Sequence, residues 1–460
     1  MNIGYILDKI KVTFLSGHER SVRANKNIAL SFFLKVLNVA IQFLFVPILL
    51  GYLSPIKYGV WVTIGSVINW LYFFDVGLGN GLRNRLAEAL SNNEKERSRI
   101  LVSTTYAILC FVVAVLYLLF IVVNHFVSWE KIFNTPSNLT SEVNTLVVIT
   151  FSFFSINFVA QLINNILNAV QKSATYDAIL TTGNFLSLIA VYIISKTNCT
   201  KGQGSIVAIG AVVGICTVLP SIFATVILFK NKYSYLKPSI KCVKLAYFND
   251  LTTLSFKFFV IQVAGVVIFT TDNIIITQLF GPADVTVYNI SQKYFYVISM
   301  LFSIITSPFW SAFTEAYVKG EIDWIKRKIN QFIKIWVVLV FIIIGMAVFS
   351  NGAVRLWIGH HVNIPLSLTV FMSIFVVIST WNNIFTGFIN GVSKINVSVI
   401  TALINIIINI PMAIFFAKTL NMGISGVVLA NCISLGIGVV LRPMQYYKII
   451  NNHDTGIWGK

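Results

Sequence analysis

Charged residues are scarce in this chain: Asp, Glu, Lys and Arg make up 11% of its 460 residues, whereas 57% are hydrophobic. Soluble domains carry about 25% charged residues. The 34 basic and 16 acidic side chains therefore cannot cover the surface of a globular protein of this size, which almost excludes a soluble enzyme. Acids are the scarcer sign, and the net charge of +18 has to be interpreted from where the basic residues lie.

Cysteine is also rare, and its five copies do not predict a disulfide framework or a metal site. We expect small, mostly buried side chains at Cys110, Cys216 and Cys432 in apolar stretches, at Cys242 in a cytoplasmic loop and at Cys199 outside. His360 and His361 share an outer loop, but no cysteine or carboxylate stands near them in sequence, so no metal ligation is predicted.

Long apolar runs, in contrast, are abundant. A bilayer core of about 30 Å needs about 20 apolar residues per helix. The runs lack the alternation and turn spacing of a membrane β-barrel, so helices are the spanning structure that remains. We therefore predict an all-α polytopic membrane protein with twelve spans, at 27–50, 58–79, 100–123, 143–168, 177–195, 205–229, 251–280, 286–311, 330–350, 364–389, 395–417 and 423–441.

The basic residues are predicted to cluster on one side of the membrane. With the N-terminus in the cytoplasm, cytoplasmic segments hold 25 of the 34 Lys and Arg, outer loops hold six and spans hold three. The positive-inside rule predicts this bias, so we place both termini in the cytoplasm. The first 27 residues are polar and basic, and we expect no cleavable signal peptide. The excess charge thus reflects topology, and no nucleic-acid partner is expected.

The two halves of the chain repeat one another. The matches keep their order and similar spacing: Gly51 and Tyr58 with Gly281 and Tyr288, Asn168 and Lys172 with Asn390 and Lys394, and Gly204, Ala208 and Gly214 with Gly426, Ala430 and Gly436. Units of six spans have the same orientation, so a parallel repeat is predicted, with the substrate site in the cavity between the units. We expect an N-terminal lobe at 1–230, a cytoplasmic linker at 231–250 and a C-terminal lobe at 251–460.

One stretch of the first half carries a family resemblance. Tyr58-Gly59-Val60-Trp61, followed by Phe74-Asp75-Val76-Gly77-Leu78-Gly79-Asn80-Gly81-Leu82-Arg83-Asn84-Arg85-Leu86-Ala87-Glu88-Ala89, resembles the second span and following loop of Wzx-type oligosaccharide flippases. These belong to the superfamily of multidrug, oligosaccharidyl-lipid and polysaccharide transporters. The resemblance continues through Asp272-Asn273 and the segments around Asn168 and Asn390.

The resemblance implies a MATE-like body of two parallel six-helix lobes in the cell inner membrane. Such proteins move a polyprenyl-pyrophosphate-linked oligosaccharide, for example an O-antigen unit, to the outer leaflet by alternating access. It implies no covalent chemistry and no cofactor, although H⁺ or Na⁺ could drive transport. The implied partners are the lipid-linked oligosaccharide, membrane lipids, and a polysaccharide polymerase with its chain-length machinery.

Two other functions stay open on the sequence alone. A multidrug or cation antiporter of the same superfamily would favour a cavity lined by carboxylates and aromatics, whereas this chain offers three lysines against two aspartates within its predicted spans. A membrane glycan polymerase, ligase or transferase usually needs a sizeable outer loop with catalytic groups. The longest outer loops, 124–142 and 351–363, contain only Glu130 and Glu142 as acids.

Cations within the spans are the first candidates for binding an anionic diphosphate, because charges at that depth normally face a cavity or a partner. They are Lys35, Lys257 and Lys293. For Lys35 and Lys257 the alternative is a long side chain that reaches back to the interface. Lys293 is expected to lie level with Asp272, either in a structural ion pair or in a charge pair that breaks during transport.

Two aspartates are candidates for a coupling ion. Asp272 interrupts the apolar run 266–279 with a side chain too short to reach water, and it could bind a proton or, with the Thr270 and Thr271 hydroxyls, sodium. Asp75 lies near the inner end of the second span, where helix capping or pairing with a nearby arginine is the alternative.

The remaining candidates are amides, arginines and aromatics. Asn164, Asn168 and Asn390 belong to polar stripes in the fourth and tenth spans and are expected to bind sugars or neighbouring helices. Arg83 and Arg85, placed in a cytoplasmic loop, either attract the diphosphate or face anionic lipid. Aromatics at the outer ends are expected to be interfacial anchors: Tyr52, Tyr58, Trp61, Trp129, Tyr288 and Trp357.

Overall fold

The structure is a computed structural model that describes residues 19–72, 78–170, 172–197, 203–244, 263–307, 309–359, 362–392, 394–453 and 455–459. These residues are almost entirely helical, and the pairing of extended backbone that they show is an isolated bridge between Leu53 and Gln203. The predicted all-α fold class is confirmed. Cys199, His360 and His361 lie outside the described residues.

In the first half, nine helices are formed by the residues that the structure describes. They are α1 (Glu19–Tyr52), α2 (Pro55–Leu71), α3 (Leu78–Ser91), α4 (Lys95–Phe126), α5 (Trp129–Ile132), α6 (Thr140–Ala160), α7 (Leu162–Ala169), α8 (Ser173–Thr197) and α9 (Ile206–Lys230). Short 3₁₀ turns occupy Ser137–Leu139, Ser234–Leu236 and Ile240–Cys242.

In the second half, the described residues 263–269 are helical and are followed by eight further helices. They are α10 (Thr271–Phe280), α11 (Pro282–Thr306), α12 (Phe309–Val318), α13 (Ile322–Val348), α14 (Ser350–Ile358), α15 (Leu366–Gly391), α16 (Asn396–Ile414) and α17 (Ile424–Ile450). A π-helical turn at Phe415–Thr419 follows α16, and a 3₁₀ turn lies at Gly456–Trp458.

Ten segments within the described residues are long and apolar enough to cross a bilayer. The two other predicted spans correspond to α2, which has 17 residues, and to α11, whose outer half carries Asp284, Asn289, Gln292 and Lys293. With these two the structure agrees with the predicted twelve-span plan. Each of these two helices is the second span of its half. They pack against each other, and this contact explains their polar side chains.

Exposure separates the helices that face lipid from those inside. In α4 and α13 only 11% of the most apolar stretch of 18 residues is buried. Apolar side chains such as Phe111 and Phe341 cover the outside of the protein. In α17 the buried share is 61%. An apolar outer surface of this kind identifies a multi-pass membrane protein, because lipid and not water contacts it.

Helices pack mainly with others of their own half. In the first half α8 packs on α1 and α9, and α9 packs on α6; in the second half α17 packs on α15 and α16. The linker joins the first group, since Arg99 donates to the Lys237 carbonyl at 3.1 Å. We propose that these two groups are the lobes predicted from the repeat. Contact between them is made chiefly where α2 meets α10 and α11.

Candidate functional site

A polar seam joins the two halves along α2. We refer to the side with Ser54 and Gly281 as the outer side, following the prediction from charge. Five hydrogen bonds run from there inward: Thr286 to the Pro55 carbonyl at 2.5 Å, Tyr58 to Asn289 at 2.8 Å, Thr63 with Thr277 at 2.9 Å, Asn273 to Ser66 at 2.7 Å and Trp70 to Thr270 at 2.6 Å. Pro55 and Trp70 are about 22 Å apart along the helix, so the seam covers most of the bilayer core.

Gly59 allows the seam to close. A Cβ at this position would lie 1.7 Å from the Pro282 carbonyl oxygen, a distance that no side chain can occupy. Pro282 begins α11, directly after Gly281, whose φ of +100° favours glycine. The motif Tyr58-Gly59 therefore combines a donor to the other half with the room that the contact needs.

The short helix α5 and the residues after it extend the seam on the outer side. Asn134 donates to the Thr277 carbonyl at 3.1 Å, and Gln278 donates to the Lys131 carbonyl at 3.1 Å. Both bonds connect the first half to α10, so α10 is held by the first half at both α2 and the outer loop.

Two tryptophans hydrogen-bond to carbonyls that prolines leave free. Pro47 in α1 has no N–H, so the Phe43 carbonyl lacks its helical partner, and Trp357 of the second half donates to it at 3.1 Å while stacking on the Phe43 ring at 3.8 Å. Within the second half, Trp381 donates in the same way at 3.2 Å to the Val439 carbonyl, which Pro443 leaves free. Trp357 is therefore a contact between the halves and not simply an interfacial anchor.

Asp272 lies at the centre of a buried polar cluster in the second half. Its Oδ2 accepts from the Tyr288 hydroxyl at 2.6 Å and from the Asn431 amide at 2.5 Å. Asn409 continues the cluster, donating to Asn431 at 2.8 Å and to Ser434 at 3.1 Å. Side chains from α10, α11, α16 and α17 thus meet around one carboxylate that is 0% exposed.

The cluster contains two oxygens with unused acceptor capacity. Asp272 Oδ1 and Asn409 Oδ1 are buried and have no hydrogen-bond partner among the described residues. Buried polar atoms are normally paired, and a buried carboxylate without a cation is costly. Hard cations prefer oxygen ligands such as those of carboxylates, amides and hydroxyls. A proton on the carboxylate would satisfy it equally well.

Consecutive residues of α10 connect this cluster to the seam. Asp272 faces the cluster, whereas Asn273 and Thr277 face α2. The helical path is broken just before, at Thr270, which forms a turn between the helical residues 263–269 and α10. Discontinuous helices commonly form the substrate and ion sites of transporters.

The structure shows neither an Asp272–Lys293 ion pair nor contacts of the neighbouring threonines with Asp272. Lys293 does not pair with it, because Lys293 Nζ lies 3.5 Å from the Tyr58 hydroxyl, on the seam. At 100° per residue, α11 turns Tyr288 and Gln292 toward Asp272 and Lys293 away. Nor do the threonines join Asp272: Thr270 accepts from Trp70, and Thr271 donates to the Val266 carbonyl at 3.5 Å.

The other predicted candidates are dispersed. Lys35 lies on an exposed face of α1, and Asn164 of α7 is buried with its Oδ1 unpartnered, whereas Asn168 and Asn390 are half-buried.

Arg83 and Arg85 lie in α3 and not in a loop; Arg83 is exposed and Arg85 pairs with Glu88 at 3.1 Å. Lys257 and Asp75 lie outside the described residues. Tyr52, Tyr58 and Tyr288 are buried, so they are not interfacial anchors.

Sequence reasoning missed three features. Asp177 is a further buried carboxylate, hydrogen-bonded by Ser31 of α1; α8 begins four residues before it, so it lies inside the helix and not at its edge. Arg442 lies within α17, which continues to Ile450, beyond the predicted end at 441. Asn409 and Asn431 are isolated amides in apolar runs, and that isolation was the available signal.

Two relatives are similar in sequence to most of this chain. A putative O-antigen export protein of Yersinia pseudotuberculosis is 23% identical over 374 residues, which are 78% of this chain and 82% of that protein. A putative O-antigen transporter of Salmonella typhimurium is 22% identical over 423 residues, 90% of this chain and 94% of that protein.

Solved structures share the fold. A multidrug-resistance MATE-family transporter of the MOP superfamily in an inward-facing conformation superposes with a TM-score of 0.75 at 13% identity, over 92% of this chain and 96% of that chain. The MATE-like fold implied by the resemblance is thereby confirmed. The family model described as polysaccharide biosynthesis protein matches residues 24–313, more than half of the sequence. The chain therefore belongs to the polysaccharide biosynthesis protein family.

Proposed function

We propose that the protein is a flippase that moves a polyprenyl-pyrophosphate-linked oligosaccharide to the outer leaflet of the inner membrane for surface polysaccharide such as O-antigen. The observation that carries the proposal is the match of most of the chain to relatives named for O-antigen export and transport. The family and the transporter fold support it. In this role the protein carries out transport without covalent chemistry.

The seam supports a cycle of alternating access. With both termini in the cytoplasm, the hydrogen bonds from Pro55 to Trp70 close the outer side, and substrate enters from the cytoplasmic leaflet. Transport then requires α2 to separate from α10 and α11. A polymerase and its chain-length machinery would take the product on the outer side.

Coupling to H⁺ or Na⁺ is proposed at the Asp272 cluster. Its support is the pair of unpartnered buried oxygens and the placement of Asp272 beside the seam residue Asn273. A cation bound by the carboxylate alters the position of α10, and α10 in turn contacts α2. Asp75 stays a second candidate from the sequence.

A cation-coupled multidrug antiporter is the second candidate, favoured by the fold shared with MATE transporters. The two functions differ in cargo. The names of the relatives favour the glycan, and they describe transport and not polymerisation or ligation.

A deletion strain distinguishes these functions. Loss of the flippase should remove surface polysaccharide and leave lipid-linked oligosaccharide on the inner leaflet, measured by accessibility to a glycosidase in oriented vesicles. Plasmid-borne wild-type protein should restore both. Unchanged leaflet distribution together with increased drug sensitivity would favour the antiporter and contradict the proposal.

A further inference from the structure

Arg442 is an arginine at membrane depth that faces the protein interior. On α17 the exposed side chains Ile433, Val440, Met444 and Tyr447 lie on one side. At 100° per residue Arg442 lies on the opposite side, within about 40° of Asn431 and Leu435. It is about 16 Å further inward than Asn431 along the helix, near the inner edge of the bilayer core.

The guanidinium of Arg442 has little to bind in this structure. One amino group donates to Thr386 Oγ1 at 2.5 Å, and no carboxylate forms an ion pair with it among the described residues. A guanidinium has five N–H donors, so most of them are available. An arginine at this depth normally has a partner or faces a polar cavity.

The surroundings of Arg442 are polar and partly accessible. Its side chain is half-buried although it lies on the face of α17 opposite the exposed apolar side chains. On α15, Asn383 and Asn390 lie one turn before and after Thr386, both half-buried, and neither side-chain amide has a hydrogen-bond partner among the described residues. The other in-membrane lysines that the structure describes lie elsewhere: Lys35 is exposed and Lys293 is on the seam.

We propose that Arg442 binds the diphosphate of the lipid-linked substrate as it enters from the inner side, with Asn383 and Asn390 hydrogen-bonding the adjoining sugar. The proposal rests on the proposed function and names the residue that recognises the anionic group. The planar guanidinium matches two phosphate oxygens at once, which a lysine does not. The partial accessibility and absent ion pair of Arg442 fit a site that receives its anion from the substrate.

The test uses the purified full chain in detergent with farnesyl diphosphate, a short isoprenyl diphosphate, and compares it with farnesyl monophosphate. We expect the wild type to bind the diphosphate more tightly. Arg442→Gln should weaken diphosphate binding about tenfold or more, since a charged hydrogen-bonding partner is lost. Arg442→Lys should lose part of the affinity, because the charge stays and the paired geometry does not.

Arg327→Gln is the matched control, because Arg327 is an exposed arginine on the same side of the protein. It should bind as the wild type does. Equal binding by wild type and Arg442→Gln would overturn the inference while leaving the flippase proposal intact. If the wild type itself binds no isoprenyl diphosphate, the flippase proposal fails as well. If Arg442→Gln does not fold, Arg442→Lys provides the test instead. A diphosphate affinity of Arg442→Lys equal to that of the wild type would overturn the proposal that the guanidinium binds two phosphate oxygens.

Discussion

At the scale of single residues, Asp272 shows what sequence can and cannot reveal. An aspartate in an apolar run can be recognised without any structure, because its side chain is too short to reach water from within the membrane. Its partners are not visible, since Asn431 lies 159 residues further along and contacts it only through packing of α17 on α10. The ion pair with Lys293 is not formed in this structure for a related reason: level position along two helices does not fix the direction in which each side chain points.

Replacing Asp272 with Asn should impair coupled transport without preventing membrane insertion. Asn keeps the acceptor for Tyr288, but it removes the negative charge and places an amide donor against the Asn431 amide. We expect transport of lipid-linked oligosaccharide in proteoliposomes to lose its response to an imposed H⁺ or Na⁺ gradient, with stability lowered by about 1–3 kcal/mol.

Asp323→Asn provides the control, because Asp323 is an exposed carboxylate at the start of α13. Its gradient response should equal that of the wild type. An Asp272→Asn protein that keeps the full gradient response would remove Asp272 from coupling.

At the scale of helices, hydropathy predicted most spans well because it is a local property of about 20 consecutive residues. It was least informative for α2 and α11, where polar side chains bind the other half and not lipid. It also placed the end of the last span before Arg442, because the apolar run stops there although the helix continues to Ile450. Helix ends depend on tertiary contacts, which a hydropathy average does not contain.

Gly59→Ala should keep the outer side from closing. The added methyl group would meet the Pro282 backbone, which cannot move aside as a flexible side chain can. We expect loss of most glycan flipping and increased labelling of a cysteine placed at Thr277 by a membrane-impermeant maleimide added from outside.

Gly65→Ala on the same helix is the control, since nothing lies within 4 Å of a Cβ there. It should flip glycan and resist labelling as the wild type does. Equal behaviour of both alanine variants would mean that the α2–α11 contact does not govern access.

At the scale of the whole molecule, the internal repeat predicts two similar lobes, yet positions that correspond in the repeat make different contacts. Tyr58 and Tyr288 correspond in the repeat; Tyr58 binds Asn289 in the other half, whereas Tyr288 binds Asp272 in its own half. In the second half Tyr288 belongs to the Asp272 cluster, whereas the buried carboxylate of the first half, Asp177, is hydrogen-bonded by Ser31.

Trp357→Phe should loosen the outer contact between the halves. Phe keeps an aromatic ring for stacking on Phe43, but it cannot donate to the carbonyl that Pro47 leaves free, so a buried acceptor loses its partner at a cost of about 1–3 kcal/mol. Distances between spin labels on the outer ends of α2 and α14 should broaden toward larger values.

Trp381→Phe removes the equivalent bond to Val439 inside the second half, so its effect should be confined to stability and leave the distance between the halves unchanged. An unchanged distance distribution in Trp357→Phe would show that the bond does not hold the halves together.

The polar character of α2 has a consequence for synthesis of the protein. Tyr58 and its partner Asn289 are 231 residues apart, so at 5 to 20 residues per second α2 enters the membrane roughly 10 to 50 seconds before α11 exists. Throughout that interval the Tyr58 hydroxyl and the Trp70 indole N–H lack the second-half partners that they bind in the folded protein, and lipid tails cannot replace those partners. We therefore expect α2 to insert together with the strongly apolar α1 and to depend on the membrane insertion machinery until translation of α11 supplies its partners.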